Sequence, residues 1–317
     1  MNLVKLIDEF GSEDRCRDYL EELRWPHGVE CPRCESKTIS RIKKRNQYEC
    51  ASCEYQFSVK AGTLFNDSHL PLWKWFLAVY LMGESKKGIS SKQLQRTLGI
   101  SYKTAWYLSH RIREAMGNIE QPFLEGIVEV DETLLGGKIV GKGQGYRDNK
   151  ATVVGAVQRD GEIRLKVIPN NRKGHVQGFI TSHVSDETEA IFTDELRSYN
   201  GIGDEDTRHE TVEHGADEYV RGDVHTNTIE GVWSLLKRSV IGSYHQISLK
   251  HLPAYLDEIE FRYNRRGNPM LFRDTLLVLL EGEPMPYKKL TGKKGQLRPG
   301  RPPIKPLDPE GHEHLID

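Results

Sequence analysis

The sequence predicts a multidomain α+β protein on three observations. Two close cysteine pairs flank a short strand-forming stretch near the start, and a run of amphipathic helices follows them. From Gly126 the apolar period then changes from helical to alternating. At 317 residues the chain exceeds one typical core, so more than one domain is expected. A composition of 37% hydrophobic and 29% charged residues is that of a soluble protein. The first residues lack the charged-then-apolar pattern of a secretory leader, and the longest apolar run, Trp75 to Met82, is too short to cross a bilayer. A cytoplasmic, nucleoid-associated protein with no membrane partner is expected.

Residues 13 to 24 carry Cys16, Tyr19, Leu20 and Leu23 at helical spacing, and Trp25-Pro26 ends that helix. Cys16 reads as a core residue. Cys31-Pro-Arg-Cys34 and Cys50-Ala-Ser-Cys53 follow, with 15 residues between the pairs and a strand-like Thr38 to Ile42 inside. Four thiolates at this spacing match a zinc ribbon, each pair on a tight turn and the hairpin between them, which implies one structural zinc ion. A redox or iron site is the alternative that the spacing leaves open. Disulfides fit less well in a reducing cytosol.

Residues 71 to 116 read as three helices. Pro71 suits a first turn, Ser90 or Ser91 can cap the second helix, Gly99 supplies a turn, and Ser101 can cap a third helix running to Met116. A short helix, a glycine turn and a longer basic helix form a helix-turn-helix pattern. The net charge of −1 does not point to nucleic acid, but its distribution does: Lys86 to Arg113 holds seven Lys or Arg and no acid, and Arg33 to Arg45 holds six bases against Glu35. With Ala105, Leu108 and Ile112 inward, the DNA-facing candidates are Tyr102, Lys103, Tyr107, His110, Arg111 and Arg113, of which Lys103, Tyr107, Arg111 and Arg113 are the principal ones. An ordinary helical bundle with a solvated basic face is the alternative.

From Gly126, strands are predicted at 126 to 131, 151 to 158 and 162 to 168, with Arg159-Asp-Gly as a hairpin turn between the last two. A helix from Lys173 to His183 leads to a strand ending at Asp194, in the order βββαβ. Gly136 to Gly145 reads as a mobile loop touching DNA, and His209 and His214 as loop histidines. The segment Val224-His-Thr-Asn-Thr-Ile-Glu-Gly-Val-Trp-Ser-Leu-Leu-Lys-Arg is an amphipathic helix. Ile229, Val232, Trp233, Leu236 and Val240 form its buried face, with Asn227, Glu230, Ser234 and Lys237 on the other side. Ser248 to Asn264 supplies a final helix, and the Pro-, Gly- and Lys-rich chain from Gly282 reads as a disordered tail.

A strand delivering Asp131, a strand delivering Asp194 and a helix carrying Glu230, the last two 36 positions apart, occur in that order. This order and spacing resembles the DDE catalytic triad of transposases and retroviral integrases. The helix from Val224 and the later Phe-Arg-Tyr-Asn-Arg-Arg at 261 to 266 resemble the bacterial insertion-sequence family numbered 1595, over residues from about 15 to 280.

The resemblance implies a zinc ribbon and a ribonuclease H-like α/β catalytic domain, with the three-helix helix-turn-helix domain read from the helix pattern lying between them. The corresponding boundaries are 1–66 for an N-terminal helix and ribbon, 67–120 for the helix-turn-helix, 121–281 for the catalytic domain and 282–317 for the tail. It implies a transposase that cleaves 3′ ends and joins them to target DNA with two magnesium or manganese ions held by Asp131, Asp194 and Glu230. Lys237 would position a phosphate. The implied partners are transposon ends, target DNA and further copies of the chain, as a homodimer or higher oligomer on DNA. Because some relatives carry Asn as the third letter, Asn227 is the alternative to Glu230. The rival functions are a ribonuclease H-like nuclease or resolvase, and a DNA-binding regulator without catalysis.

Overall fold

A computed structural model describes residues 1–136, 150–203, 207–212 and 222–292. Chain contacts divide it into two compact units, one made of Met1–Ser85, Ile89–Glu120 and the chain from Gly267 onward, the other of Lys86–Gly88 and Gln121–Arg266. No helix among the described residues is long and apolar enough to cross a membrane.

The first unit opens with α1 (Leu3–Phe10) and α2 (Glu13–Arg24), each started by a side-chain cap, Asn2 Oδ1 on Lys5 N and Ser12 Oγ on Arg15 N. Cys16 is fully buried on α2, as its helical phase requires. A three-stranded antiparallel ribbon follows, β1 (Ile39–Ile42), β2 (Gln47–Cys50) and β3 (Gln56–Phe57), packed on Trp25, Tyr48 and Phe57. Three helices come next, α3 (Leu72–Glu84), α4 (Ser91–Leu98) and α5 (Tyr102–Met116). Ser90 and Ser101 cap α4 and α5, and Gly99, at φ +59°, makes the turn between them.

Two features of this unit depart from the sequence reading. Residues 271 to 281 form a helix, α9 (Leu271–Glu281), that lies with the ribbon and the three helices: Phe272 meets Phe10 and Phe76 at ring centroids 5.8 and 5.6 Å apart. The chain beyond Gly282 is also structured at first, since Pro286 starts a short helix, α10 (Tyr287–Thr291), with Leu290 buried. The rest of the expected tail, from residue 293, lies outside the described residues.

The second unit is built on a five-stranded sheet in the order β6-β5-β4-β7-β8: β4 (Ile127–Leu135), β5 (Ala151–Gln158), β6 (Ile163–Ile168), β7 (Ala190–Asp194) and β8 (Arg208–Val212). β4, β5 and β6 are antiparallel, whereas β7 and β8 run parallel to β4. α6 (Lys173–His183) makes the crossover from β6 to β7, so the βββαβ order expected of a ribonuclease H-like domain is the order observed. Side chains alternate across β4. Val128 and Val130 join Val176, Phe179 and Ile180 of α6 in one core. The opposite core holds Val153, Val157 and Leu165 against Ile229, Val232, Trp233 and Leu236 of α7 (Asn227–Ser239) and Leu252, Leu256 and Ile259 of α8 (Leu252–Asn264).

Candidate catalytic and metal centres

Asp131 lies inside β4 rather than at its end, because β5 continues to pair with β4 as far as Leu135↔Ala151. On the other edge the parallel pairing with β7 is shorter. It runs Ile127↔Ala190 to Glu129↔Phe192, and carrying that register two residues on brings Asp131 level with Asp194, the last residue of β7. Among the described residues the parallel pairing of β4 ends before this point, and both acids are half-buried.

Trp233 of α7 donates its indole N–H to Asp131 Oδ2 at 2.7 Å. The ring can lie that close because Gly155, paired with Asp131, has no side chain: a Cβ there would sit 2.6 Å from Trp233 Cη2. Burial pushes the Asp131 carboxyl from 3.8 up to about 6; the charges of Asp194 and Glu132 push the same way and the Trp233 N–H opposes them. A hard divalent cation held by oxygen ligands would offset both the burial and the repulsion, so the Asp131–Asp194 pair fits such an ion.

Glu230 and Lys237 are exposed on α7, three residues before and four after Trp233. At ~100° per residue both project within ~60° of Trp233 on the same side of the helix, whereas Asn227 lies ~120° away. Trp233, which makes the contact with Asp131, lies beside the Glu230–Lys237 stripe, between the two along the helix axis and ~40–60° round from them.

The start of α7 is fixed by a residue that the sequence reading passed over. Glu129, fully buried two positions before Asp131, accepts the backbone N–H groups of Thr228 and Ile229 at 2.8 and 3.0 Å and the Thr228 hydroxyl at 2.8 Å. Arg159 Nε donates to its other side at 2.8 Å, and His225 Nδ1 lies 3.2 Å away. A carboxylate from the sheet therefore supplies the cap that Thr226 does not. The available signal was one acid at the core-facing phase of an apolar strand. His209, expected in a loop, sits on β8 with its Nε2 3.1 Å from the Thr193 hydroxyl, and burial lowers its pKa. The Gly136 to Gly145 loop beyond its first residue and His214 lie outside the described residues.

In the first unit, the ligand sulfurs of Cys31, Cys34, Cys50 and Cys53 all lie within 4.8 Å of one another. The close pairs are Cys31–Cys53 at 3.6 Å, Cys34–Cys50 at 3.5 Å and Cys34–Cys53 at 3.4 Å. Tetrahedral zinc at ~2.3 Å from each sulfur sets them ~3.8 Å apart, so the cluster fits that ion and leaves no open position. Among the described residues it is the one gathering of three or more metal-ligating side chains at such distances.

The expected DNA face of α5 is only partly exposed. Tyr102 and Lys103 are open to solvent, as are Lys92 and Arg96 on α4. Arg111 and Arg113 are buried at 5% and 0% exposure, and His110 at 2%. The Tyr107 hydroxyl donates to the Met285 carbonyl, and its ring meets Tyr287 at 5.3 Å. These burials share one setting: α5 is enclosed from residue 108 to its end, where residues 108 to 116 are all buried.

Family models match residues 123–264 as an ISXO2-like transposase domain and residues 11–56 as a transposase zinc-ribbon domain. The chain is 32% identical over 278 residues to an uncharacterized protein in transposable element ISH50 of Halobacterium salinarum, spanning 81% of this chain and 92% of the relative. Similar solved structures include a pre-cleavage Mos1 transpososome, at 13% identity and TM-score 0.26 over 65% of this chain and 78% of that one. A simian T-cell lymphotropic virus intasome in complex with a PP2A regulatory subunit matches at 13% identity and TM-score 0.26, over 69% and 77%. The matched segments contain the four cysteines and the strands and helix that carry Asp131, Asp194 and Glu230, and the chain belongs to the IS1595 family of transposases.

Proposed function

We propose that the protein binds the ends of its insertion sequence, cleaves their 3′ ends and joins them to target DNA, acting as a homodimer or higher oligomer on DNA in the cytoplasm. The observation that carries this reading is Asp131, level with Asp194 where the parallel pairing of β4 ends, and bonded to Trp233, which lies between Glu230 and Lys237 along α7. Both steps are in-line displacements at a phosphodiester, by water and then by the freed 3′ hydroxyl. Asp131, Asp194 and Glu230 would hold a pair of magnesium or manganese ions, which when bound supply charge neutralisation at the reacting phosphate.

The chain's own groups do the positioning. Trp233 holds one Asp131 oxygen in place, and the Lys237 ammonium pairs with a phosphate beside the cut. Glu129 anchors the first turn of α7 to β4 and so sets the level of Glu230 against Asp131. Zinc in the ribbon is structural, because four thiolates leave no ligand position for substrate. End binding falls to the exposed Lys92, Arg96, Tyr102 and Lys103 of the α4–α5 pair.

A strand-transfer assay with the DNA flanking the gene, in magnesium, tests the reading. Products cut at the 3′ end and joined to a second duplex are expected, and Asp131→Asn should abolish both. Cleavage without joining would favour a nuclease. End binding without either step would favour a regulator.

A further inference from the structure

Within the first unit lies a cavity of about 350 Å³ that the catalytic reading does not use, lined by Trp75, Tyr107, Tyr287, Lys103, Arg111 and Asp67 among others. Three of these offer aromatic faces and two are cations. Arg111 is nine-tenths buried, and among the described residues no carboxylate lies within ion-pair distance of it. One of its terminal nitrogens donates to the Tyr107 hydroxyl at 2.6 Å, while its Nε has no hydrogen-bond partner. The guanidinium otherwise rests on rings, 4.2 Å from the Tyr107 centroid and 5.9 Å from that of Trp75. A buried cation without an anion is costly unless a ligand supplies one. Lys103, exposed at the mouth, holds its ammonium 4.6 Å over the Tyr287 ring.

We propose that this cavity receives a single unpaired nucleotide of the bound DNA strand. Its base would lie against the aromatic walls, and its phosphate would pair with Lys103 within the field of Arg111. The volume is at the low end for ligand sites, ~300–1,000 Å³, which suits one base and excludes a base pair. Aromatic faces accept any base by stacking, and the two cations exclude a positively charged guest. Asp67, exposed at the rim, can accept a base N–H. The third aromatic wall comes from the chain after Gly282, held in place by the hydrogen bond from Tyr107 to the Met285 carbonyl. The inference rests on the reading that this unit binds DNA.

The test uses the full-length protein and two short labelled duplexes of the flanking DNA, one fully paired and one carrying a single extrahelical 2-aminopurine. The bulged duplex should bind about tenfold more tightly, as stacking of one base provides, and its emission should be quenched. Tyr287→Ala should abolish preference and quenching, and Tyr287→Phe, which keeps the ring, should restore both. Equal affinity for the two duplexes with unchanged emission overturns the pocket and leaves DNA binding intact. Preference that survives Tyr287→Ala also overturns it. Free dAMP binding as tightly as the bulged strand reassigns the cavity to a free nucleotide and overturns the DNA assignment. Failure to bind either duplex overturns this inference together with the reading beneath it.

Discussion

The four thiols of the ribbon come from two tight turns of one short hairpin and lie within 4.8 Å of one another. The acids of the second unit come instead from β4, β7 and α7, and one of them, Asp131, is pushed up to about 6 by burial and its acidic neighbours. A cluster built on one local hairpin is positioned by that hairpin. A site assembled from distant elements depends on the contacts that fasten those elements, here Glu129 at the start of α7, Trp233 on Asp131, and the missing side chain at Gly155.

The largest effect is expected where the comparison is most local. Cys34→Ser removes a thiolate from a closed site, and structural zinc binding contributes ~10–16 kcal/mol to the folding of such modules. The variant should lose its zinc, about one ion per chain in the parent, and its ribbon should become protease-sensitive. Zinc retained at full occupancy with an intact ribbon would show that three sulfurs suffice.

Next comes the fastening of the assembled site. Glu129→Ala leaves Arg159 without its carboxylate and two helix N–H groups without an acceptor, a loss of ~3–5 kcal/mol for a buried pair. Chemical denaturation should detect it, and an unchanged midpoint would mean that α7 is held elsewhere.

A pH effect of similar size is expected on the same face, at the β6 edge of the sheet. Burial pushes Glu260, which accepts the Leu165 N–H at 2.7 Å, from 4.5 up to about 7, with Arg164 opposing. Because its folded pKa is raised, its contribution to stability is fully present below about 4.5 and is lost as pH rises through about 7. Glu260→Gln should therefore gain up to ~3 kcal/mol relative to the parent at pH 8 and nothing at pH 4, read by urea unfolding at both. Parallel pH profiles would contradict the shift.

The smallest effect tests the packing behind Asp131. Gly155→Ala places a methyl against the Trp233 ring, and overpacking of this kind costs ~1–3 kcal/mol. Cleavage should fall more than stability does, because Trp233 loses its hold on Asp131. A variant with normal cleavage would show that the indole contact is incidental.

Much of the site was legible in local pattern. Cysteine spacing marked the ribbon, alternation marked β4 to β7, and helical phase placed Ile229, Val232, Trp233 and Leu236 on the buried side of α7. What escaped depends on partners distant in sequence. Glu129 caps a helix start 99 residues away and Gly155 makes room for a ring on another element; an acid at the core-facing phase of β4 marks Glu129 as unusual without naming its partner, and Gly155 carries no local signature. Arg111 and Arg113 read as solvent-facing because charge is normally exposed, yet the packing around α5 encloses it on more sides than its own apolar stripe indicates. α9 and α10 were missed, because the apolar run from Leu276 to Leu280 does not by itself distinguish helix from strand and the Pro-, Gly- and Lys-rich composition from Gly282 masked the short helix after Pro286.

The central claim is that Glu230 completes the carboxylate site, and one assay tests it most directly. Magnesium-dependent 3′-end cleavage should be compared for the parent, Glu230→Gln and Asn227→Ala, with end binding and thermal stability measured on the same preparations. Glu230 is exposed, so its replacement should leave folding and binding nearly intact. Cleavage by Glu230→Gln should nevertheless fall about a thousandfold or more, while Asn227→Ala keeps most of it. Near-parental cutting by Glu230→Gln, together with loss in Asn227→Ala, would contradict the account and move the third ligand one turn toward the start of α7.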